Sequence, residues 1–160
     1  MTELKRKIEL NIILFFSIFA LLFAFYVEFI LGHKPCNLCL LERIPYVLAI
    51  ILTILVSIFK KFEKTTFFLF SLIFFIAAFL SFYHLGIEQG FIEELGICSL
   101  NKELNSLNKE DLLKELNNNP ISCKDVTFWL FGLSLATINT IISIIIAVIT
   151  FMIFINYEKK

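Results

Sequence analysis

The sequence predicts an all-α membrane protein, a four-transmembrane-helix bundle with both termini cytoplasmic and two loops on the outer side. Three observations predict it: composition, four long apolar runs, and the placement of Lys and Arg between them. Of 160 residues, 59% are hydrophobic, and the mean hydropathy is +0.87, against roughly 45–50% apolar in an ordinary soluble domain. Charged residues make up 18% and cluster between the apolar runs, so lipid is the solvent for much of the chain. The formal net charge is zero, which gives no electrostatic footprint for nucleic acid. The chain has no internal repeat, Gly/Ser linker or low-complexity tail and is expected to form a single membrane domain over 1–160.

Leu10 to Val27 carries no charge, and Glu28 is the only one before Lys34. Its apolar stretch exceeds the ~7–15 residues of a signal-peptide core and no small-residue cleavage site follows, so it is read as a retained span. Ile44 to Phe59 is a second charge-free run of 16 residues, which reaches spanning length if its helix starts near Leu40 and carries Arg43 close to the interface. Thr65 to Ile87 is the third. Val126 to Tyr157 is the fourth, longer than the about 20 residues that cross the hydrocarbon core. Backbone polar groups must be satisfied within lipid, which makes each run a helix. The expected spans are about 10–31, 40–59, 65–86 and 126–155, with outer loops at about 32–42 and 87–125. Lys5, Arg6 and Lys7, then Lys60, Lys61 and Lys64, then Lys159 and Lys160 all fall on one side of such a bundle, and the positive-inside rule makes that side the cytoplasm.

The four cysteines, Cys36, Cys39, Cys98 and Cys123, all fall in the two outer loops and none in a span. Disulfides persist on the oxidising side of a membrane, so these residues can pair there. Cys36-Asn37-Leu38-Cys39 is a C-x-x-C, a spacing that forms a small, easily exchanged ring and lowers one thiol's pKa. It leads into the second span, where unpaired N–H groups of a helix start favour thiolate. Arg43 follows Cys39 by about one helical turn and can set a permanent positive charge near the sulfur, or near an anionic oxygen bound beside it. Pro45 suits a first helical turn better than a helix interior.

Twenty-four residues separate Cys98 from Cys123. A bond between them would close a large loop, a constraint worth roughly 3–4 kcal/mol on chain-entropy grounds, and in mobile backbone it would be open to an attacking thiolate. Within that loop, Asn108 followed by Glu110 and Asp111 reads as a helix start, with Leu112, Leu113 and Leu116 as an apolar face suited to the membrane surface. Two structural disulfides remain an alternative. A four-thiolate zinc site would want two close pairs, which Cys98 and Cys123 are not; no metal is expected. A haem site on His33 and His84 lacks the C-x-x-C-H motif. His84 and Glu88 are ionisable groups at the outer end of the third span, where function and simple snorkelling are both open. Glu28 reads as structural, and Trp129 as an interfacial anchor.

Lys34-Pro35-Cys36-Asn37-Leu38-Cys39-Leu40-Leu41-Glu42-Arg43 resembles the first outer loop of the DsbB family of bacterial disulfide-bond-formation proteins. Tyr83-His84-Leu85-Gly86-Ile87-Glu88-Gln89-Gly90, with Cys98 eight residues later, resembles the segment before that family's third cysteine. Cys123 through Trp129 to Phe131-Gly132-Leu133-Ser134-Leu135-Ala136 resembles its fourth cysteine and the entry to its last helix. The resemblance runs in order along nearly the whole chain. It implies a protein-dithiol:quinone oxidoreductase of the bacterial inner membrane, with its active cysteines on the periplasmic face. Such a protein reoxidises a DsbA-like periplasmic thioredoxin-fold oxidase and passes the electrons to the quinone pool, ubiquinone or menaquinone. By the same resemblance Cys98 and Cys123 form the disulfide that the partner attacks, at Cys98. Cys123 then attacks Cys36, and Cys39 leaves as a thiolate facing the quinone, with Arg43 stabilising the charge and His84 and Glu88 lining the quinone pocket. The physical setting agrees: a DsbA-type oxidase sits at roughly −120 mV, so its thiols are hard to oxidise, and a lipid-soluble acceptor lies where the C-x-x-C meets the bilayer. A vitamin K reductase-like flow in the opposite direction is the competing redox reading, but those relatives carry the quinone-proximal C-x-x-C near a different span.

Overall fold

The computed structural model describes residues 3–59, 63–93, 123–124, 128–130 and 132–157. The surface helix expected near Asn108 lies outside them, as does Cys98. Among the described residues, four helices are long and apolar enough to cross a membrane: Lys7–Ile30, Asn37–Phe59, Lys64–Glu88 and Leu135–Asn156. The class read from hydropathy, an all-α bundle of four spans, is the class observed.

Helix α1 (Glu3–Phe25) continues into a π-helical turn, Tyr26–Ile30. A π turn widens the helix by one residue and re-aims the side chains on it, here Glu28. A short helix α2 (Asn37–Leu41) and the turn at Glu42 and Arg43 lead into α3 (Ile44–Phe59). Pro45 is the second residue of α3, where a missing N–H costs nothing. Helix α4 (Glu63–Glu88) ends where Gly90 takes φ +75°, the left-handed stop that a glycine supplies without strain. Beyond it, Phe91 and Ile92 N–H both donate to Gly86 O, and the chain folds back so tightly that a Cβ on Gly86 would stand 2.6 Å from Ile92 Cδ1.

The last apolar run is not helical throughout. Trp129–Leu130 (β1) and Leu133–Ser134 (β2) form a small antiparallel hairpin, with Trp129 opposite Ser134. Helix α5 (Leu135–Asn156) begins only after it, capped by Ser134, whose Oγ accepts from Thr137 N–H at 3.2 Å. Hydropathy cannot separate the two conformations, because strand and helix are equally apolar here; the cap and the hairpin turn decide.

Helix α4 packs along α5, α1 packs on α3, and α3 on α4. With lipid outside, helices gain little by hiding apolar surface, so close backbone approach and hydrogen bonds hold them together. The buried positions follow that logic. Ala49, Ala77, Ala147, Ser17, Ser81, Ser143, Thr53 and Thr150 are all buried between helices, around a centre of Phe67, Phe70 and Phe74. Ser71 Oγ donates across to Ala147 O at 3.2 Å. Phe15, Phe75 and Phe79 stay exposed, as lipid-facing residues should. The π turn after α1, the start of α3, the end of α4 and the start of α5 share one end of the bundle.

Candidate functional site: a buried dithiol beside a held imidazole

Cys36 caps α2. Its backbone is extended (φ −75°, ψ 169°) and its Sγ accepts from Cys39 N–H at 3.3 Å. The first helical turn therefore brings both sulfurs to the same side, 2.8 Å apart. Both thiols are free; Cys36 is buried and Cys39 only partly so. A disulfide needs sulfurs about 2.05 Å apart, so small side-chain rotations would join them. The Cys39 thiol bonded to the Cys36 sulfur lowers the Cys36 pKa from 9.0 to about 5, against the opposing effect of burial and with further help from His84.

His84 comes from α4 and sets Nε2 3.5 Å from Cys36 Sγ. Its other nitrogen, Nδ1–H, donates to Glu42 Oε1 at 2.8 Å. Glu42 Oε2 in turn accepts from Asn139 Nδ2 of α5 at 2.8 Å. Asn139 Nδ2 also reaches Ser81 Oγ at 2.5 Å, and the Tyr46 hydroxyl donates to Asn139 Oδ1. This network ties α3, α4 and α5 together and fixes the ring that faces the thiol. Glu88, one turn beyond His84, has Oε1 3.8 Å from His84 Nε2, while its Oε2 is buried with no hydrogen-bond partner among the described residues.

Arg43 turns toward α1. Its Nη1 donates to Glu28 Oε2 at 2.6 Å, and its guanidinium lies 5.1 Å from the Phe25 ring centre. The π turn is what presents Glu28 to it. These groups line the polar end of a cavity of about 440 Å³ whose walls include Phe16, Phe19, Ala20, Ile138 and Ile142. That volume, mostly apolar with a few convergent polar groups, suits a flat organic ligand. The cavity lies between α1 and α5, which scarcely touch. Residues of the dithiol, Cys39, Glu42, Arg43 and His84, border the same space, so an aromatic ring with an apolar tail fits the residues present.

Of the residues singled out in the sequence, Cys36, Cys39, His84 and Glu88 come together. Cys123 is disulfide-bonded and buried in the cluster of Cys36, Leu38 and Ile87. Arg43 borders the same cavity but pairs with Glu28, a residue first read as structural. Sequence reasoning missed Glu42, Asn139 and Tyr46. The signal for Asn139 was an amide inside an otherwise apolar run, which in a membrane asks for a partner; for Glu42 it was a carboxylate at the mouth of a span beside Arg43.

A reduced dithiol whose Cys36 thiol has a lowered pKa, held in a four-span bundle, is the centre of a membrane oxidoreductase that acts on disulfides. The chain belongs to the DsbB family: residues 6–153 match the family described as "Disulfide bond formation protein DsbB". Membership makes it part of the machinery of disulfide formation. The uncharacterized protein RP370 of Rickettsia prowazekii (strain Madrid E) is 30% identical over 138 residues, spanning 84% of this chain and 80% of that protein. No solved structure matches the chain.

Proposed function

We propose that the protein reoxidises a DsbA-like periplasmic thioredoxin-fold oxidase by a disulfide relay and passes the electrons to a membrane quinone. The observation that carries the reading is the Cys36–Cys39 pair at the polar end of an apolar cavity lined by α1 and α5. The inner-membrane location, with the dithiol end facing the periplasm, rests on the Lys and Arg distribution and on family membership.

In this reading the partner's thiolate attacks Cys98 of a Cys98–Cys123 disulfide, and the partner's second thiol resolves the mixed disulfide. The partner leaves oxidised, with Cys98 and Cys123 as thiols. Cys123 then attacks Cys36 of an oxidised C-x-x-C, and Cys39 departs as thiolate. Cys98 displaces Cys36, which restores the Cys98–Cys123 bond and leaves Cys36 and Cys39 reduced. The burial of Cys123 in the Cys36 cluster supports this exchange. A bound quinone supplies the acceptor for the two electrons and two protons of that dithiol. Nε2 of His84 stands 3.5 Å from Cys36 Sγ, where it can hold a proton against the thiolate, and Arg43 brings the permanent positive charge that borders the cavity.

Membranes supplied with quinone and a reduced DsbA-like protein test this. The wild type oxidises the partner, Cys36→Ala and Cys98→Ala abolish it, and Arg43→His raises the apparent KM for quinone before it affects stability. Full activity in either cysteine variant would sink the relay, and an unchanged quinone KM would remove Arg43 from it.

A further inference from the structure

We propose that the reduced protein binds a soft divalent cation of the Zn²⁺ class through Cys36, Cys39 and His84, with the Glu88 carboxylate completing the set. The ligand atoms of the first three residues lie within 4.8 Å of one another. This differs from a four-thiolate site, because one cysteine pair suffices and the remaining donors come from α4.

The geometry is close to what such an ion requires. Zn–S of about 2.3 Å and Zn–N of about 2.0–2.1 Å at tetrahedral angles put sulfur and nitrogen about 3.5 Å apart; Cys36 Sγ and His84 Nε2 are 3.5 Å apart. Two thiolates on the same ion stand about 3.7 Å apart by the same geometry, so Cys39 Sγ, now 2.8 Å from Cys36 Sγ, must swing outward by about 1 Å. Cys39 is the less buried of the two and borders the cavity, which gives it room. Glu88 is the independent pointer. Its side chain is 7% exposed with Oε1 3.8 Å from His84 Nε2, and its buried Oε2 has no partner among the described residues. A buried carboxylate oxygen left unbonded is costly, and an ion beside it would satisfy it.

The outer arrangement fits as well. A metal-bound imidazole almost always donates its second N–H to a carboxylate or carbonyl, which fixes the tautomer and aims the free nitrogen at the metal. His84 Nδ1–H already donates to Glu42 Oε1 at 2.8 Å, and Asn139 holds Glu42 from the other side. Binding moves no electrons: whatever thiol protons remain on the two sulfurs leave and two Zn–S bonds form. An oxidised Cys36–Cys39 pair has no thiolate to offer, so the site exists only in the reduced protein. There it withholds the dithiol from any electron acceptor until the ion departs. The inference needs only the reduced dithiol and stands whether or not that acceptor is a quinone.

The test is optical. Full-length protein in nanodiscs, reduced and desalted without oxygen, is titrated with Co²⁺, and Zn²⁺ is then added to displace it. Thiolate-to-cobalt charge-transfer and tetrahedral ligand-field bands are expected at one equivalent. They should appear equally in a Cys98→Ser/Cys123→Ser double variant and vanish once Cys36 and Cys39 are oxidised. Glu42→Gln, which keeps every ligand, should weaken binding by about 10–100-fold, and His84→Ala should change the band pattern. Absence of the bands in the reduced double variant overturns the proposal, as does an affinity that neither Glu42→Gln nor His84→Ala alters. If His84→Ala does not fold, the Glu42→Gln affinity decides alone.

Discussion

Cys36 differs from its neighbour Cys39 by what surrounds it. It is the cap of α2, so it receives Cys39 N–H, the Cys39 thiol and the His84 ring at one sulfur. Burial works against the thiolate, and the hydrogen bond from Cys39 outweighs it. The order of causes gives a prediction at this scale. In reduced protein, alkylation of Cys36 should follow a titration with midpoint about 5 instead of 9.0. Cys39→Ala should move that midpoint up further than His84→Ala does, and the reverse order would show the imidazole to be the main support. The sign for stability follows from linkage. Between pH of about 5 and 9.0 the folded chain carries a thiolate that the unfolded chain does not. The stability of the reduced form therefore rises with pH across that window, is fully present above it, and is lost on acidification through about 5. Denaturation of the reduced protein at stepped pH reads this directly, with a Cys36→Ala comparison removing the slope.

Helix pairs carry the next level of cause, because each contact in the network belongs to two elements. Asn139 on α5 donates to Glu42 at the entry to α3 and to Ser81 on α4, and accepts from Tyr46 on α3. Asn139→Leu leaves several buried groups without a partner, and interhelical hydrogen bonds in membranes are worth about 0.6 to 2 kcal/mol. A loss of about 1–2 kcal/mol in mixed-detergent unfolding is expected, whereas the lipid-facing Ile141→Leu should be neutral; equal effects would show that the network holds nothing. Ala77 is fully buried on α4, so Ala77→Leu should cost about 1–3 kcal/mol by overpacking, measured in the same way. These contacts also mark what the sequence could disclose. The four helices were legible because a bilayer rewards only long apolar runs, and the C-x-x-C because its spacing is local. His84 beside Cys36 was legible only as an ionisable residue near a span end, since its distance to Cys36 is fixed by how α4 packs. The π turn at Tyr26–Ile30, and with it the pairing of Glu28 to Arg43, left no signal in composition. The hairpin before α5 was hidden for a different reason, its residues being as apolar as the helix they precede.

Across the whole molecule the cysteines divide by location. Cys36 and Cys39 sit where a held imidazole, a carboxylate and an apolar cavity meet, while Cys123 is already bonded yet packs against Cys36. On the proposed function, a bundle that keeps one dithiol beside an apolar cavity and brings a bonded cysteine against it serves a two-stage exchange. The first stage would take electrons from a soluble protein and the second would pass them inward. Such an exchange orders its intermediates: the first covalent bond to an outside partner forms through a cysteine that is not yet engaged with Cys36. If Cys98 is that residue, Cys123→Ala removes the thiol that hands electrons onward while leaving Cys98 free to hold a partner. Incubation of this variant with an oxidised thioredoxin-fold oxidase is then expected to give a mixed disulfide that survives non-reducing electrophoresis and disappears on reduction. The same complex should fail to form in a Cys98→Ala/Cys123→Ala double variant and should still form in Cys36→Ala/Cys123→Ala. A complex that depends on Cys36 instead of Cys98 would reverse the order, making the C-x-x-C the face that meets the soluble protein.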